Sequence, residues 1–292
     1  MSAVDLTGRA GIVTGGGKGL GRAFALHLAS LGAAVVVNNR NREVDSAGRV
    51  AAEITAAGGR AVADYSDVAD PHAGDDLVAL ALREFGRLDF CVTSAAVSAP
   101  AMFHKTSLEA FAAVQTVNVL GTAGVAAAAA RHLRTAGGGR IVLVASTAGL
   151  HGEPTVSAYA ASKGAVIALG RTIAQEGAAR GVLTNVLLPY ATTQMTDAGM
   201  AEQFRDAMTA DSVAPVVAAL VDPRGTLNGE VIVAANGSLR ATATVEWGTV
   251  QVPAALDPEG LAGLLAASRA GKPHEYRTAQ DAFADFAGET LP

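Results

Sequence analysis

The chain is poor in cysteine, in aromatic residues and in charge. A single cysteine, Cys91, stands among 292 residues, so no disulfide can form within the chain. Aromatic residues make up 4% and charged residues 17% of the sequence, while half of it is hydrophobic. This length and hydrophobic share predict one large domain with a substantial core.

The negative net charge argues against some classes of partner. The formal net charge of −5 argues against nucleic acid and anionic membranes, which attract basic proteins. Apolar stretches are interrupted by Gly, Thr and charged residues before they reach the length of a membrane span. The start, Met1–Asp5, lacks a signal-peptide pattern, so a cytoplasmic location is expected. The six histidines show no metal-ligand spacing, and no metal is expected.

Short apolar segments alternate along the chain with segments of helical periodicity. Strands are predicted at 6–14, 33–40, 61–65, 88–93, 140–145, 183–188 and 229–234, and helices at 22–29, 50–57, 77–84, from 108 to 120 and beyond, and 159–176. This alternation predicts an α/β fold, a doubly wound parallel sheet with helices on both faces. The strands are almost wholly apolar, as burial on both sides requires.

A glycine-rich turn follows the first predicted strand. Residues 14–21 read Thr-Gly-Gly-Gly-Lys-Gly-Leu-Gly. Glycines at 15, 19 and 21 let the backbone approach a pyrophosphate, and the start of the next helix offers unpaired N–H groups. The spacing differs from the usual Gly-x-Gly-x-x-Gly fingerprint, and a glycine cluster alone could be an ordinary loop. Its position between a strand and a helix favours a dinucleotide-binding turn.

The end of the second predicted strand bears on which dinucleotide binds. A carboxylate at this place would bind the ribose hydroxyls of NAD, but here the chain has Asn39 and Arg40. An arginine suits the 2′-phosphate of NADP, and Lys18 in the glycine turn adds a second positive charge. NADP is therefore favoured and NAD is possible. The alternative is that Arg40 and Lys18 are ordinary surface charges.

Tyr159 and Lys163 lie four residues apart in a predicted helix and so share one face. An ammonium beside a phenol lowers the tyrosine pKa from about 10, which would make Tyr159 a proton donor near neutral pH. The pair alone is a weak signal, because a solvated helix face can show the same spacing. Ser146 upstream and the glycine turn make a catalytic interpretation the stronger one.

In this order, the motifs resemble the short-chain dehydrogenase/reductase family over roughly residues 5–240. The resemblance implies a Rossmann-type fold and hydride transfer between NAD(P) and a ketone or secondary alcohol. It implies four catalytic residues: Asn118, Ser146, Tyr159 and Lys163. It implies cofactor contacts by Thr14, Gly15, Lys18, Gly19, Leu20, Gly21, Asn39, Arg40, Asp67, Val68, Ala95, Lys163, Pro189 and Thr193.

The same resemblance implies a role for each catalytic residue. Tyr159 gives its proton to the forming alkoxide, and Ser146 hydrogen-bonds the same oxygen. Lys163 lowers the pKa of Tyr159 and holds the nicotinamide ribose. Asn118 positions a water that connects Lys163 to solvent.

Two segments depart from the family pattern. Residues 93–96 read Thr-Ser-Ala-Ala where the family has Asn-Asn-Ala-Gly, so Ala96 adds a methyl beside the expected cofactor ribose. Tyr190 follows Pro189 where the family has glycine, and it is expected either to intrude on the nicotinamide pocket or to line it.

Within the family, the chain looks most like the (3R)-hydroxyacyl-CoA dehydrogenase domain of multifunctional enzyme type 2 and its bacterial relatives. Residues 1–245 are expected to form the catalytic domain. Residues 246–292 exceed the usual family length and are expected to cover the substrate pocket or a subunit contact. A homodimer or homotetramer is expected.

The segment after Pro189 gives the hypothesis about the substrate. Met195, Met200, Phe204 and Met208 would form an apolar, adaptable face, although ordinary core packing accounts for the same spacing. With the resemblance, this face favours a 3-oxoacyl or 3-hydroxyacyl thioester. The alternatives are a hydroxysteroid or polyketide-type ketone and, in another class, a nucleotide-sensing protein without turnover.

Overall fold

A computed structural model of the protein describes residues 3–40, 42–193 and 202–290. The chain divides into two units, Met1–Ala241 and Thr242–Pro292. The first contains the large sheet and its helices, and the second contains two helices and a two-stranded ribbon.

The strands of the first unit are β1 (Ala10–Thr14), β2 (Ala34–Asn38), β3 (Arg60–Asp64), β4 (Phe90–Thr93), β5 (Gly139–Val144), β6 (Val182–Pro189), β7 (Val231–Ala235) and β8 (Ser238–Ala241). They form one sheet in the order β3-β2-β1-β4-β5-β6-β7-β8. All neighbours are parallel except β7 and β8. The predicted Rossmann-type parallel sheet is confirmed.

The helices of the first unit are α1 (Gly19–Ser30), α2 (Ser46–Ala56), α3 (Ala73–Phe85), α4 (Leu108–Gln115), α5 (Thr122–Thr135), α6 (Ala148–His151), α7 (Ser157–Ala178), α8 (Glu202–Arg205) and α9 (Ala214–Val221). Two hydrophobic cores separate these helices into layers. Val13 of β1 packs with α1, α2 and α9, whereas its neighbour Ile12 packs with α3, α5 and α7. Successive strand residues face opposite sides, so an unbroken apolar strand supplies both cores.

Helices α4 and α5 join through a π-helical turn at Thr116–Gly121 into one helical segment, Leu108–Thr135. Its most apolar window has a mean hydropathy of 1.4, so by length and composition alone the segment could cross a membrane. The expectation that no apolar stretch reaches this length is wrong here, because Gly121 and Thr122 continue the helix and do not end it. In the structure α5 packs on α3, and α4 packs on α7.

The second unit contains β9 (Val245–Glu246), α10 (Pro258–Ala270), β10 (His274–Glu275) and α11 (Ala279–Thr290), with β9 and β10 antiparallel. Helix α10 has a side-chain N-cap, since the Asp257 carboxylate accepts from the Gly260 N–H at 2.6 Å. No residue described between 242 and 290 is buried. The strands β8, β9 and β10 were not predicted, because they are short and lack an apolar face.

Candidate active site

Sequence-predicted site residues lie where strands of the first unit end. Strands β1, β4, β5 and β6 are parallel, so their carboxyl ends meet at one edge of the sheet. Thr14 at the end of β1 is in register with Asn38 of β2 and Thr93 of β4. The strand order reverses between β1 and β4, and open α/β sheets bind ligands outside such a reversal.

The glycine turn after β1 forms a tight cradle. Gly15 has a φ of +66°, and a Cβ atom there would lie 2.8 Å from the Ala95 nitrogen. A Cβ on Gly21 would lie 2.3 Å from the Gly15 carbonyl oxygen, so neither position tolerates a side chain. Helix α1 begins at Gly19, and Lys18 before it provides no side-chain cap. The turn therefore has the shape and the N–H donors that suit a phosphate.

Thr14 fixes the cradle to the neighbouring strand. Its buried hydroxyl oxygen accepts from the backbone N–H groups of Ser94 at 3.1 Å and of Ala95 at 3.2 Å. The segment after β4 is thus held against the glycine turn. Thr193 also comes to this place, with its Cβ 3.4 Å from the position a Gly19 Cβ would occupy.

Arg40 and Asp67 form an ion pair beyond the ends of β2 and β3. The Arg40 Nη1 lies 3.0 Å from the Asp67 Oδ2, and both side chains are exposed. Burial acts to raise the pKa of Asp67, but the Ala69 N–H and the Arg40 guanidinium together hold it below its usual value. Asn39 is half-buried and donates its backbone N–H to the Asp64 carbonyl at 3.0 Å.

The remaining predicted cofactor residues differ in burial. Lys18 is exposed, and Leu20 packs partly buried against the core. Val68 is buried next to Gly121, where an added Cβ would lie 2.9 Å from a Val68 methyl. Ala95 and Pro189 are half-buried at the carboxyl edge.

Asn118 lies in the π-helical turn and is completely buried. Its side-chain oxygen accepts from the Val97 N–H at 2.8 Å, and its amide donates to the Val97 carbonyl at 2.9 Å. The amide also donates to the Ser162 Oγ at 3.0 Å, and the Ser162 hydroxyl donates to the Tyr159 carbonyl at 2.7 Å. Asn118 thus connects the loop after β4 to helix α7.

Ser146, Tyr159 and Lys163 come together beyond the end of β5. Lys163 is buried, and its ammonium donates to the Val144 carbonyl at 2.8 Å. The same nitrogen lies 5.6 Å from the centroid of the Tyr159 ring. The Ser146 side chain is close enough to the Tyr159 phenol to act on it as a hydrogen-bond partner, which lowers the pKa of Tyr159. The four predicted catalytic residues therefore belong to one connected arrangement.

The expected effect of Lys163 on Tyr159 is wrong in this structure. Burial raises the pKa of Tyr159, and the Ser146 hydrogen bond only partly offsets it. Burial also lowers the pKa of Lys163 to about 8, because desolvation disfavours the charged form. The spacing of the two residues predicted their shared helix face but not the desolvation that opposes a charged pair.

Tyr190 keeps its backbone in the sheet and its side chain in solvent. Its N–H donates to the Ala234 carbonyl of β7 at 3.0 Å, and 46% of the residue is exposed. Ala96 is half-buried. Met195 and Met200, predicted to line a substrate-covering segment, lie outside the described residues.

Sequence reasoning missed the residues that hold the four predicted catalytic residues in place. Ser162 bridges Asn118 to helix α7, and the Val144 carbonyl accepts from Lys163. A serine directly before Lys163 was the available signal for the first. The Val144 carbonyl is a backbone group, so no residue type in the sequence could have indicated it.

The doubly wound sheet and the glycine cradle at its reversal define a Rossmann-type nucleotide-binding protein. Residues 9–206 match the family model described as short chain dehydrogenase. This chain belongs to the short-chain dehydrogenase/reductase family and is an oxidoreductase that uses NAD(P).

Three relatives show the range of the likeness. A short-chain type dehydrogenase/reductase of Mycobacterium tuberculosis is 38% identical, over 80% of this chain and 84% of that protein. Peroxisomal multifunctional enzyme type 2 of Drosophila melanogaster is 36% identical, over 79% of this chain but 39% of the longer enzyme. The 3-oxoacyl-[acyl-carrier-protein] reductase of a Synechocystis strain is 36% identical, over 66% of this chain and 78% of that protein.

A solved structure shares the fold over nearly the whole chain. A short chain dehydrogenase from Mycobacterium avium superimposes with a TM-score of 0.81 at 34% identity, covering 94% of this chain and 98% of that one. The predicted likeness to multifunctional enzyme type 2 and bacterial relatives is confirmed.

Proposed function

We propose that the chain is an NADP-preferring enzyme that interconverts a 3-oxoacyl and a 3-hydroxyacyl thioester. The observation that carries the reaction is the connected arrangement of Asn118, Ser146, Tyr159 and Lys163 at the carboxyl edge of β5 and α7. The bound nicotinamide cofactor supplies a hydride for reduction and accepts one in oxidation. The glycine cradle at 15–21 holds its phosphates through backbone N–H groups.

Tyr159 acts as the proton donor in the reduction. Because burial raises its pKa, the phenol keeps its proton at neutral pH and can give it to the carbonyl oxygen of the substrate. Ser146 hydrogen-bonds Tyr159 and is in place to hydrogen-bond the same oxygen as negative charge develops on it. In the oxidation direction Tyr159 accepts the proton.

Lys163 and Asn118 support Tyr159 in different ways. Lys163 exchanges protons with it, and Asn118 helps to position it. Lys163 has a pKa of about 8, so it exchanges protons readily near neutral pH. In our proposal it holds the nicotinamide ribose, with its ammonium oriented by the Val144 carbonyl. Asn118 fixes the start of α7 through Ser162 and by that contact positions Tyr159.

Positive charges after β1 and β2 support the proposed preference for NADP. Arg40 and Lys18 are exposed and positive, and the side chain directly after β2 is the neutral Asn39. A 2′-phosphate carries extra negative charge that a guanidinium binds well. Asp67 holds the Arg40 guanidinium at 3.0 Å and so restricts its position.

The acyl substrate is supported by exposed apolar side chains after β6. Tyr190 and Phe204 are 46% and 45% exposed, in the segment that follows the carboxyl end of that strand. The start of this segment is tied to the residues after α8, since the Thr192 N–H donates to the Met208 carbonyl at 2.6 Å. The Synechocystis relative is named for a 3-oxoacyl substrate. An extended hydrophobic substrate would cover such side chains.

The proposal includes self-association as a homodimer or homotetramer. Leu108 and Leu120 on the long helical segment are 83% and 64% exposed. Large apolar side chains on one helix are typical of a protein–protein interface. Size-exclusion chromatography with light scattering would give the state directly, and a monomer at all concentrations would contradict this part.

One assay tests the reaction and the substrate class together. Purified protein is incubated with NADPH and a panel of 3-oxoacyl thioesters, oxosteroids and sugar ketones, and cofactor oxidation is followed by absorbance. We expect the fastest turnover on the acyl thioesters and a fall of roughly 10²–10⁴ in the Tyr159→Phe variant. Activity on small polar sugars alone would overturn the substrate proposal, and preference for oxosteroids would select the alternative.

A further inference from the structure

A cavity lies at the opposite edge of the sheet from the proposed catalytic site. It has a volume of 520 Å³ and is lined at the amino ends of the strands, with Arg9 before β1, Asp89 before β4 and Arg140 in β5. Arg87 and the glycine run Gly137–Gly139 complete its wall. Because these strands are parallel, their amino ends all lie at this edge and their carboxyl ends at the other. The cavity is therefore separated from the glycine cradle by the length of a strand.

Backbone hydrogen bonds fix the charged residues of this cavity side by side. The Asp89 N–H donates to the Ala10 carbonyl at 2.7 Å, and the Arg140 N–H donates to the Asp89 carbonyl at 3.0 Å. The Gly139 N–H donates to the Gly181 carbonyl at 3.1 Å. The cavity wall is therefore an extension of the sheet.

The cavity has an excess of positive charge. Three guanidinium groups line it, and Asp89 is the single carboxylate among the lining residues. Asp89 already accepts from the Arg9 Nη1 at 3.0 Å, from the Arg87 Nη2 at 2.6 Å and from the Ala10 N–H at 2.9 Å. One carboxylate neutralises one guanidinium, and Asp222, which also acts on Arg140, is paired with Arg224 at 2.5 Å, so two positive charges remain.

Arg140 lacks a carboxylate partner among the described residues and carries an unfilled donor. Its Nη atoms donate only to carbonyl oxygens, those of Gly139, Pro223 and Gly225. Its Nε–H is buried with no hydrogen-bond acceptor in the part of the chain that the structure describes. Burial lowers the pKa of Arg140, the nearby Arg9 charge adds to that effect, and Asp222 opposes it. Arg140 thus lines the cavity with a positive charge that no carboxylate hydrogen-bonds among the described residues.

We propose that this cavity binds the phosphate group of a phosphorylated small molecule. Guanidinium groups bind phosphate oxygens through paired, charge-assisted hydrogen bonds, and a phosphate monoester supplies about two negative charges. A volume of 520 Å³ exceeds what one phosphate ion fills and leaves room for an organic part. The site is separate from the cofactor cradle, so the ligand and the dinucleotide can be bound together.

Calorimetric titration of the full chain, saturated with NADP, tests the proposal. We expect pyrophosphate to bind with one site per chain, and binding to fall by about tenfold or more in Arg87→Gln, since each charge-assisted contact contributes at least that factor. The Arg9→Gln variant should show the same loss. The matched control is Arg83→Gln, an exposed arginine four residues earlier in the chain that does not line the cavity.

The outcomes separate this site from the cofactor site. Tighter binding of adenosine diphosphate than of pyrophosphate would identify an organic phosphate ester as the ligand, and equal binding would identify free phosphate. Either supports a phosphate site, provided that Arg40→Ala leaves it unchanged. No binding to the NADP-saturated protein, or equal binding by wild type and Arg87→Gln, would overturn the proposal.

Discussion

The ammonium nitrogen of Lys163 lies 5.6 Å from the centroid of the Tyr159 ring and donates its hydrogen bond to the Val144 carbonyl. The two residues share a helix face as the four-residue spacing requires. Burial dominates both: it raises the pKa of the phenol and lowers that of the ammonium to about 8. Near neutral pH the Tyr159 phenol is thus protonated, and Lys163 is still mostly an ammonium.

The first prediction concerns the stability of the protein as a function of pH. The folded Lys163 has a pKa of about 8, against 10.5 for the ordinary side chain, so between these values the unfolded chain binds more protons. Stability therefore rises with pH in that window. Lys163→Met cannot titrate at this position. Relative to that variant, the free energy of unfolding of the wild type should rise by on the order of 3 kcal/mol between pH 8 and pH 10.5.

Urea unfolding of both proteins at several pH values measures this difference directly. Other titrating groups are common to the two proteins and cancel. Parallel stability curves between neutral pH and 10.5 would show that Lys163 titrates normally and is not desolvated by burial.

The second prediction concerns turnover. Tyr159→Phe keeps the ring but removes the proton donor, so the turnover number should fall by roughly 10²–10⁴. Cofactor affinity, measured by fluorescence titration, should stay near the wild-type value. Tyr276→Phe removes a phenol hydroxyl in the second unit and serves as the control with normal turnover. A Tyr159→Phe enzyme that works at the wild-type rate would refute the proposed proton donor.

The third prediction concerns the choice of cofactor. Arg40→Ala removes one charge-assisted contact and leaves the Asp67 carboxylate unpaired near the expected 2′-phosphate. The preference for NADP over NAD should drop by on the order of 1.5–3 kcal/mol, with NAD binding nearly unchanged. Dissociation constants for both cofactors measure it.

Arg83→Ala is the matched control for this experiment. Its guanidinium lies 3.0 Å from Glu84, in an exposed pair of the same length as that of Arg40 with Asp67. It should leave both affinities unchanged. Tighter binding of NAD than of NADP by the wild type would mean that Asn39 serves the ribose hydroxyls and that the assignment is wrong.

The fourth prediction concerns the glycine turn. In Gly21→Ala the new Cβ would lie 2.3 Å from the Gly15 carbonyl oxygen, so backbone must shift, at a cost of about 1–3 kcal/mol. Melting temperature and cofactor affinity should both fall. Gly124→Ala is the control, because nothing lies within 4 Å of its Cβ position in α5 and alanine favours the helix. Equal melting temperatures for the two variants would count against the tight turn.

The sheet could be predicted from sequence because its strands are short, apolar and separated by glycine turns. Residues 34–38 of β2 are all buried, and a short apolar run bounded by turn residues is typical of a buried strand. Strand β8 has four exposed residues, Ser238–Ala241, and only pairing with β7 makes it a strand. Such an element depends on a neighbour that local sequence does not specify.

The sequence could predict which residues belong to the candidate site but not the contacts that those residues make. The motif spacing found Tyr159, Lys163 and the glycine turn, because local geometry determines them. The pairing of Arg40 with Asp67 joins residues that are 27 positions apart and meet because β2 and β3 are neighbours. Burial of Lys163 likewise arises from packing of the whole domain, so its pKa could not be inferred from a four-residue spacing.

The last prediction concerns the residues after β8 and the length of the substrate. The extension displays large exposed apolar side chains, among them Trp247 and Phe286 at 44% and 54% exposure, and none of its described residues is buried. Apolar surface of this kind is typical of a binding region.

If the extension takes part in acyl binding, deleting residues 250–292 should raise the KM for long-chain 3-oxoacyl thioesters more than for short-chain ones. Each buried methylene contributes about 0.8 kcal/mol, so the difference between the two should grow with chain length. Steady-state kinetics of the deletion variant, with its melting temperature and cofactor affinity as controls for the fold of the first unit, measure the effect. An equal rise in KM for short and long substrates would exclude a role of the extension in acyl binding.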